Sequence, residues 1–600
     1  MGIAKDGASP WKFDLVLALL AALAVLAVSA FAGFPQLANA HGDNDSLLQL
    51  VEVRDLLAGQ GWFDMHQYRM GPEGGFVMHW SRLLDAPLAL GILGTSALTG
   101  NMALAEKIAQ VVWPALQFWL SVFFIIRAAR GFAGERAVMP AIIVGGAALY
   151  YLGIFSPGAL DHHNVQLMLT LASLSLLLDA PSRKWAALPS GICAALTMAI
   201  GMESAPYAGA LGVLVAMLFL AGGAGERLIA RDFGLGFAGV CVIVFVTTVP
   251  ASAWGQAQCD AFSVVQFVVA AIGGAGLAAI ASADAMNHTP QRRVVSLGLL
   301  ALVLGGVVVA LFPQCLAMPY ANLDPRIKTL WLDHIDEAQS LYKLILADPA
   351  RVAARYATPL LAIVLMALRL SRGGWRRQDG IVGALLAVAF IVSAWEVRAS
   401  TFSIAFAVIP LSAWIAKWRE RAEASPSRGA ILRMAAVWLV SVNAVWTGAA
   451  KAATIAFDTG KPVTDQRGVD DATCERKATF AMLGQQPQTT VLTISNLGSP
   501  ILAYTQNRVF AGPYHRNITG NLLALDAFMG SAAAARTIAR DHHVDLVAVC
   551  RGNPETRLLT SKAPDGFLAG LVGGNVPEWL EPIIQTQGSQ LELYRVLPGS

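Results

Sequence analysis

Apolar runs near 18 residues or longer recur along the chain from Leu15 to about Ala450. As helices, such runs cross a hydrocarbon core of roughly 30 Å. Composition agrees: 56% of the 600 residues are hydrophobic and only 14% are charged, against roughly 25% charged in soluble domains. That deficit cannot cover a water-facing surface, so the expected class is a polytopic α-helical membrane protein. The net charge of +3 is modest. The basic residues sit between apolar runs and form no stripe, which argues against a nucleic-acid partner.

Thirteen helices are expected, at about 15–34, 105–126, 137–156, 164–179, 185–202, 206–221, 233–252, 261–282, 294–312, 355–370, 380–396, 400–416 and 430–450. Lys5 and Lys12 precede the first run, which ends near Ala38-Asn39-Ala40, a sequence like a signal-peptidase site. Its twenty unbroken apolar residues favour a retained helix that anchors the loop after it. Alternate loops carry Arg127, Arg130 and Arg136; Arg183 and Lys184; Arg227 and Arg231; Arg292 and Arg293; Arg372, Arg376 and Arg377; and Lys417, Arg419 and Arg421. Positive charge marks the cytoplasmic side. The reading is a cell inner (plasma) membrane protein with a cytoplasmic N-terminus. Segments 36–104, 157–163, 203–205, 253–260, 313–354 and 397–399, and all residues after 451, then lie outside.

Two domains follow: a transmembrane domain, 1–450, with long outer loops 36–104 and 313–354, and a periplasmic tail, 451–600. In the tail, β-like runs at Thr490–Ser495, Val544–Cys550 and Leu591–Val596 alternate with helical stretches such as Gly530–Asp541, the pattern of a small α/β domain. Its two cysteines, Cys474 and Cys550, are expected to pair if the tail is exported to an oxidising compartment. Cys259 and Cys315 sit just beyond apolar runs, and Cys193 and Cys241 lie inside them. Gly234, Gly236 and Gly239 match a dinucleotide fingerprint but open an apolar helix with no strand before it. Close helix packing explains these glycines better.

Acidic groups gather on the expected outer side: Asp43 and Asp45, Asp161-His162-His163, Glu203, and Asp333-His334-Ile335-Asp336-Glu337. Carboxylates and imidazoles at one membrane surface suit Mn²⁺ or Mg²⁺. Each also has a plain structural reading as a helix cap, a helix end or a solvated loop group. Arg398 falls between two apolar runs with little loop around it. A cation there binds a lipid phosphate through its planar fork, or pairs with Glu396.

Together these positions resemble a known family. Asn44-Asp45 through Arg54-Asp55 is similar to the first-loop motif of oligosaccharyltransferase catalytic subunits, of the bacterial and archaeal single-subunit type. His79-Trp80-Ser81-Arg82-Leu83-Leu84-Asp85 resembles a second stretch of that loop. Leu160-Asp161-His162-His163 resembles the second acidic motif, and Ile335-Asp336-Glu337-Ala338-Gln339 a segment of the long fifth outer loop. Arg398 stands where the family carries an arginine near the donor phosphates. The resemblance implies a GT-C fold with about thirteen transmembrane helices and a C-terminal α/β soluble domain. One motif departs: where the family has Trp-Trp-Asp to hold the Ser/Thr of an Asn-x-Ser/Thr acceptor, this chain reads Ile494-Ser495-Asn496-Leu497-Gly498-Ser499-Pro500-Ile501.

The activity implied is a metal-assisted, inverting glycosyltransferase at the outer membrane face. Asp45, Asp161 and Glu337 are the expected catalytic residues, and Asp45, Asp161 and His163 the ligands of one Mn²⁺ or Mg²⁺. Arg398, Tyr514 and His515 are the expected substrate contacts. The expected partners are a polyprenyl-linked sugar donor, a glycan, lipid or protein acceptor, and membrane lipids. Two other readings stay open: a GT-C transferase using a monophosphate donor without metal, and a lipid or solute transporter.

Overall fold

The computed structural model describes residues 10–39, 43–317, 320, 323–335, 337–373, 376–457 and 474–598. Lys5, Ala40 and Asp336, each named above, lie outside the described residues. All thirteen apolar runs are helical. Among the described residues nine helices are long and apolar enough to cross a membrane unaided. A tenth span is broken: Arg428–Val440 and Asn443–Ala453 meet at 83°. At the break Ser441 bonds back to the Val437 carbonyl, and the Asn443 amide reaches Thr358 Oγ1 and the Ala354 carbonyl.

The other three runs are short or shielded. Val138–Leu152 has 15 residues and Ala187–Ile200 has 14, too few to span roughly 30 Å at about 1.5 Å per residue. His162–Asp179 opens with polar residues and is largely buried among its neighbours.

The basic loops and the acidic loops gather separately. Asp14, near the start of the first helix Pro10–Phe31, is buried and pairs with Arg127 (3.2 Å) and Arg130; Arg127 also pairs with Asp179. Arg377 bonds Glu226 at 2.6 Å. These groups stand at the basic ends of the helices. Gly234 and Gly236 pack where the glycine reading expects: a Cβ on either would strike a carbonyl oxygen of a facing helix, that of Gly274 or of Leu188.

The long first loop is itself structured, with helices Asn44–Leu57 and Arg82–Thr99 around a small hairpin, β1 (His66–Gln67) and β2 (Phe76–Val77). The tail sheet comprises β3 (Thr490–Leu492), β4 (Arg508–Val509), β5 (Leu546–Cys550), β6 (Leu580–Pro582) and β7 (Leu591–Val596), in the order β4-β3-β5-β7-β6. The first three strands are parallel and the last two antiparallel.

Loop and tail fold as one body. Val509 and Arg69 exchange a backbone hydrogen bond at 2.9 Å, Gly71 donates to the Val509 carbonyl, and Arg69 grips the carbonyls of Leu502 and Thr505. Leu48, Val51, Met70 and Phe76 of the loop share one apolar core with the tail strands. Cys474 and Cys550 are bonded, Cα to Cα 6.2 Å, as expected. Cys259 and Cys315 form a second disulfide that ties two acidic-side loops together.

Candidate functional site

The acidic-side loops meet under the tail. Asp43 is the N-cap of helix Asn44–Leu57 and accepts the Ser46 amide at 2.9 Å. Its cap reading therefore holds, and Asp45, in the first turn, is left for other work. Ser46 fixes the meeting point: its Oγ accepts the backbone N–H groups of Leu160 and Asp161, at 2.8 and 3.1 Å.

Asp161 occupies the N-cap position of helix His162–Asp179, yet its side chain makes no cap bond. It faces the imidazoles instead. Asp161 Oδ1 lies 2.7 Å from His162 Nδ1, and Oδ2 lies 3.4 Å from His163 Nε2. None of Asp161 Oδ1, His162 Nδ1 or His163 Nε2, all buried, has an aligned hydrogen-bond partner. One ligand atom from each of the three residues falls within 4.8 Å of the others. A carboxylate and two imidazoles converging in this way suit a cation.

Glu203, in the turn Met202–Ser204, closes the group. Its carboxylate is 2.5 Å from His162 Nε2 and 3.7 Å from His163 Nδ1. Sequence reasoning passed over Glu203 and His162 as ligands, because 41 residues separate them and each alone reads as a helix-end group. The signal was their position at the outer ends of successive apolar runs.

Electrostatics mark the same spot. Burial, with Asp161 and Glu337 near, pushes the Asp45 carboxyl well above its ordinary range. Burial and Asp161 push Asp43 up to about 7, against the bonds from Ser46. Asp161 moves the other way: burial would raise it, but the imidazoles of His162 and His163 carry it well below the usual carboxylate range. Acids that crowd enough to hold protons are poised to release them to a cation.

Glu337 and Arg398 meet through the backbone. The Arg398 amide donates to the Glu337 carbonyl at 3.0 Å, and the Val397 amide to that of Gln339. The Arg398 guanidinium pairs with Glu396 at 2.6 Å, which is the plain reading allowed for it above. Its side chain keeps about a quarter of its surface exposed, beside the acidic group.

Tyr514 is buried. Its hydroxyl shares a hydrogen bond with Ser499 and donates to the Asn44 carbonyl, joining the tail to the first turn that carries Asp45. His515 and Arg516 both clasp Asp260, at 2.8 and 2.7 Å. Trp80 stands between the two halves, its ring 5.7 Å from those of both His162 and Tyr514. In the Ser495–Leu497 turn, one carboxylate, Glu555, accepts the Ser495 amide, the Ser495 hydroxyl and the Asn496 amide, at 2.8–3.0 Å.

No protein-family model matches the chain, and no curated protein matches it in sequence. Solved structures do match. The archaeal oligosaccharyltransferase AglB from Archaeoglobus fulgidus, in complex with an inhibitory peptide and a dolichol-phosphate, superposes with a TM-score of 0.63 at 15% identity, over 94% of this chain and 72% of that one.

This chain folds like an oligosaccharyltransferase.

The A. fulgidus enzyme tethered to an acceptor peptide containing an NVT sequon gives a TM-score of 0.61 at 16% identity, over 91% and 71% of the two chains. Its complex with Zn and sulfate gives 0.60 at 14%, over 90% and 68%. The likeness spans both the helical part and the tail, and it is a likeness of fold.

Proposed function

We propose that this chain is a membrane glycosyltransferase that moves a sugar or oligosaccharide from a polyprenyl-linked donor to an acceptor at the face bearing the acidic loops. The observation that carries this reading is the convergence of Asp161, His162 and His163 at 4.8 Å or less, with Glu203 against them. Asp161, His162 and His163 are neighbours in sequence, but Glu203 comes from another helix end 41 residues away, and an independent helix-end acid has no reason to point at them. The transport reading draws less support, since Asp161, Glu203 and Arg398 stand at helix ends rather than at mid-membrane.

Asp161 and His163, with His162, would hold a divalent cation, and Asp45 completes the set from the first loop. Carboxylate and imidazole together suit Mn²⁺, and a fold neighbour solved in complex with Zn and sulfate supports a divalent cation as ligand. Such an ion supplies positive charge where the leaving phosphate becomes more negative.

The chain's own groups do the rest. Arg398 binds a donor phosphate through its fork, and the neighbour solved with a dolichol-phosphate supports a lipid phosphate as ligand. Asp45, in the first turn of the Asn44–Leu57 helix, takes the proton of the acceptor nucleophile. The nucleophile attacks the anomeric carbon from the face opposite the phosphate. The new glycosidic bond forms as the carbon–oxygen bond to phosphate breaks, which inverts the centre. Glu337, on the loop that bonds to Arg398, stands beside the arginine that takes the donor phosphate. Tyr514 and His515 shape the wall: one anchors the first turn that carries Asp45, the other holds the Asp260 loop.

The acceptor differs from that of a sequon-reading enzyme, because Glu555 already occupies the amides and hydroxyl of the Ser495–Asn496 turn. With the basic loops cytoplasmic, the acidic site and the tail face the outer compartment. The test is deletion of the gene followed by analysis of lipid-linked glycans. Accumulation of one polyprenyl-linked glycan, cleared by the wild-type gene, supports the reading; an unchanged lipid-glycan profile contradicts it.

A further inference from the structure

Arg355 belongs to the helix Pro349–Ser371 and lies one turn past Arg351. It is half-buried at the outer end of that helix. Its Nη1 donates to Ser400 Oγ at 3.0 Å, and Ser400 lies two residues after Arg398. Two other arginines near the acidic site have carboxylate partners: Arg398 has Glu396 and Arg516 has Asp260. Arg355 has no ion pair among the described residues, and one neutral hydroxyl takes one of its five N–H groups. Arg351, Tyr151, Glu337 and Tyr356 are among its charged and phenolic neighbours. Glu337 is the residue whose carbonyl holds Arg398.

A half-buried guanidinium at a membrane surface is costly unless an anion completes it. Arg355 comes from one helix and bonds Ser400, two residues past Arg398, so two arginines from different elements approach the same turn. Arg398 already pairs with the Glu396 carboxylate, whereas the only side-chain bond of Arg355 among the described residues is to the Ser400 hydroxyl. We propose that Arg355 is a second phosphate-binding cation beside Arg398, which makes the site selective for a lipid diphosphate over a lipid monophosphate. This rests on the polyprenyl-linked donor reading above. The shared chemistry is an anionic phosphate at the membrane surface, offered by the donor or by a bulk phospholipid.

The experiment measures binding of sugar-free polyprenyl diphosphate and polyprenyl monophosphate to the full-length protein in phosphatidylcholine nanodiscs, and again with phosphatidylglycerol added. Arg355→Gln is expected to weaken diphosphate binding about tenfold, the scale of one charged hydrogen-bonded contact, and monophosphate binding less than twofold. Arg398→Gln is expected to weaken both. Arg355→Lys, which keeps the charge and loses the fork, falls between wild type and Arg355→Gln, and a wild-type melting temperature checks its folding. Equal losses for the two lipids, or no loss, overturn the inference and leave the donor reading standing. If phosphatidylglycerol abolishes the effect of Arg355, the site belongs to bulk lipid and the inference falls. Wild-type protein that binds neither polyprenyl phosphate overturns the donor reading itself.

Discussion

Ser46 accepts the backbone N–H of Asp161 at 3.1 Å across 115 residues of sequence. One hydroxyl thereby ties the first turn that carries Asp45 to the loop that carries Asp161. Ser46→Ala leaves the amides of Leu160 and Asp161 without a partner, at a cost of about 1–3 kcal/mol each in a buried setting. Removing such a supporting bond typically lowers metal affinity about 10–100-fold. Titration of the variant with Mn²⁺, followed by calorimetry, is expected to show weaker binding with the ion count unchanged. Wild-type affinity would show that Ser46 does not position the site.

The clasp of Arg516 and His515 on Asp260 should depend on pH. Burial would raise the Asp260 carboxyl, but the bonds from Arg516 and His515 hold it far below its ordinary 3.8. A depressed carboxyl contributes stability that is complete above its unfolded value and is lost as pH falls through the folded one. The neighbouring His79 is held well below the usual imidazole range, chiefly by burial, so it adds no opposing charge near neutrality. Hydrogen exchange in 258–263, corrected for intrinsic rates, should stay slow down to about pH 4 and rise below it. Arg516→Gln should raise it already at pH 7.

Much of this arrangement was legible in the residues, and what was missed has physical reasons. The spacing of basic loops located both helix ends, because charge at a membrane surface is costly to misplace. Asp161-His162-His163 was readable as a cluster since its members are adjacent. Glu203 was not, because its meeting with His162 depends on how two helices pack. The Cys259–Cys315 bond was not, because each cysteine only ends an apolar run. Helix Arg82–Thr99 went unread inside a polar loop, where Leu84, Leu88 and Ile92 pack on Leu50 and Val53 of the Asn44–Leu57 helix. The 83° break comes from Asn443 finding partners on another helix, which no local pattern announces.

The Ser495–Asn496 turn is expected not to take a sequon threonine. Glu555 consumes its donors, and the family's two tryptophans and aspartate are replaced. Purified protein supplied with its lipid-linked donor should leave an Asn-x-Thr peptide unmodified, as read by mass spectrometry. Efficient glycosylation of that peptide would restore protein N-glycosylation as the function.

The orientation has its own test. A phosphatase reporter that folds only after export, fused to the C-terminus, should be active, and the same reporter placed after Arg231 should be silent. The reverse pattern would move the acidic site to the cytoplasmic side.

The central claim is that Asp161, His162 and His163 hold a cation on which donor cleavage depends. Release of sugar from the lipid-linked donor, measured on purified protein, tests it most directly. Wild-type activity should vanish with chelator and return with Mn²⁺, and Asp161→Asn should lose about a hundredfold or more, the scale of removing one group that stabilises developing charge. Full activity in Asp161→Asn, or activity indifferent to chelator, would contradict it.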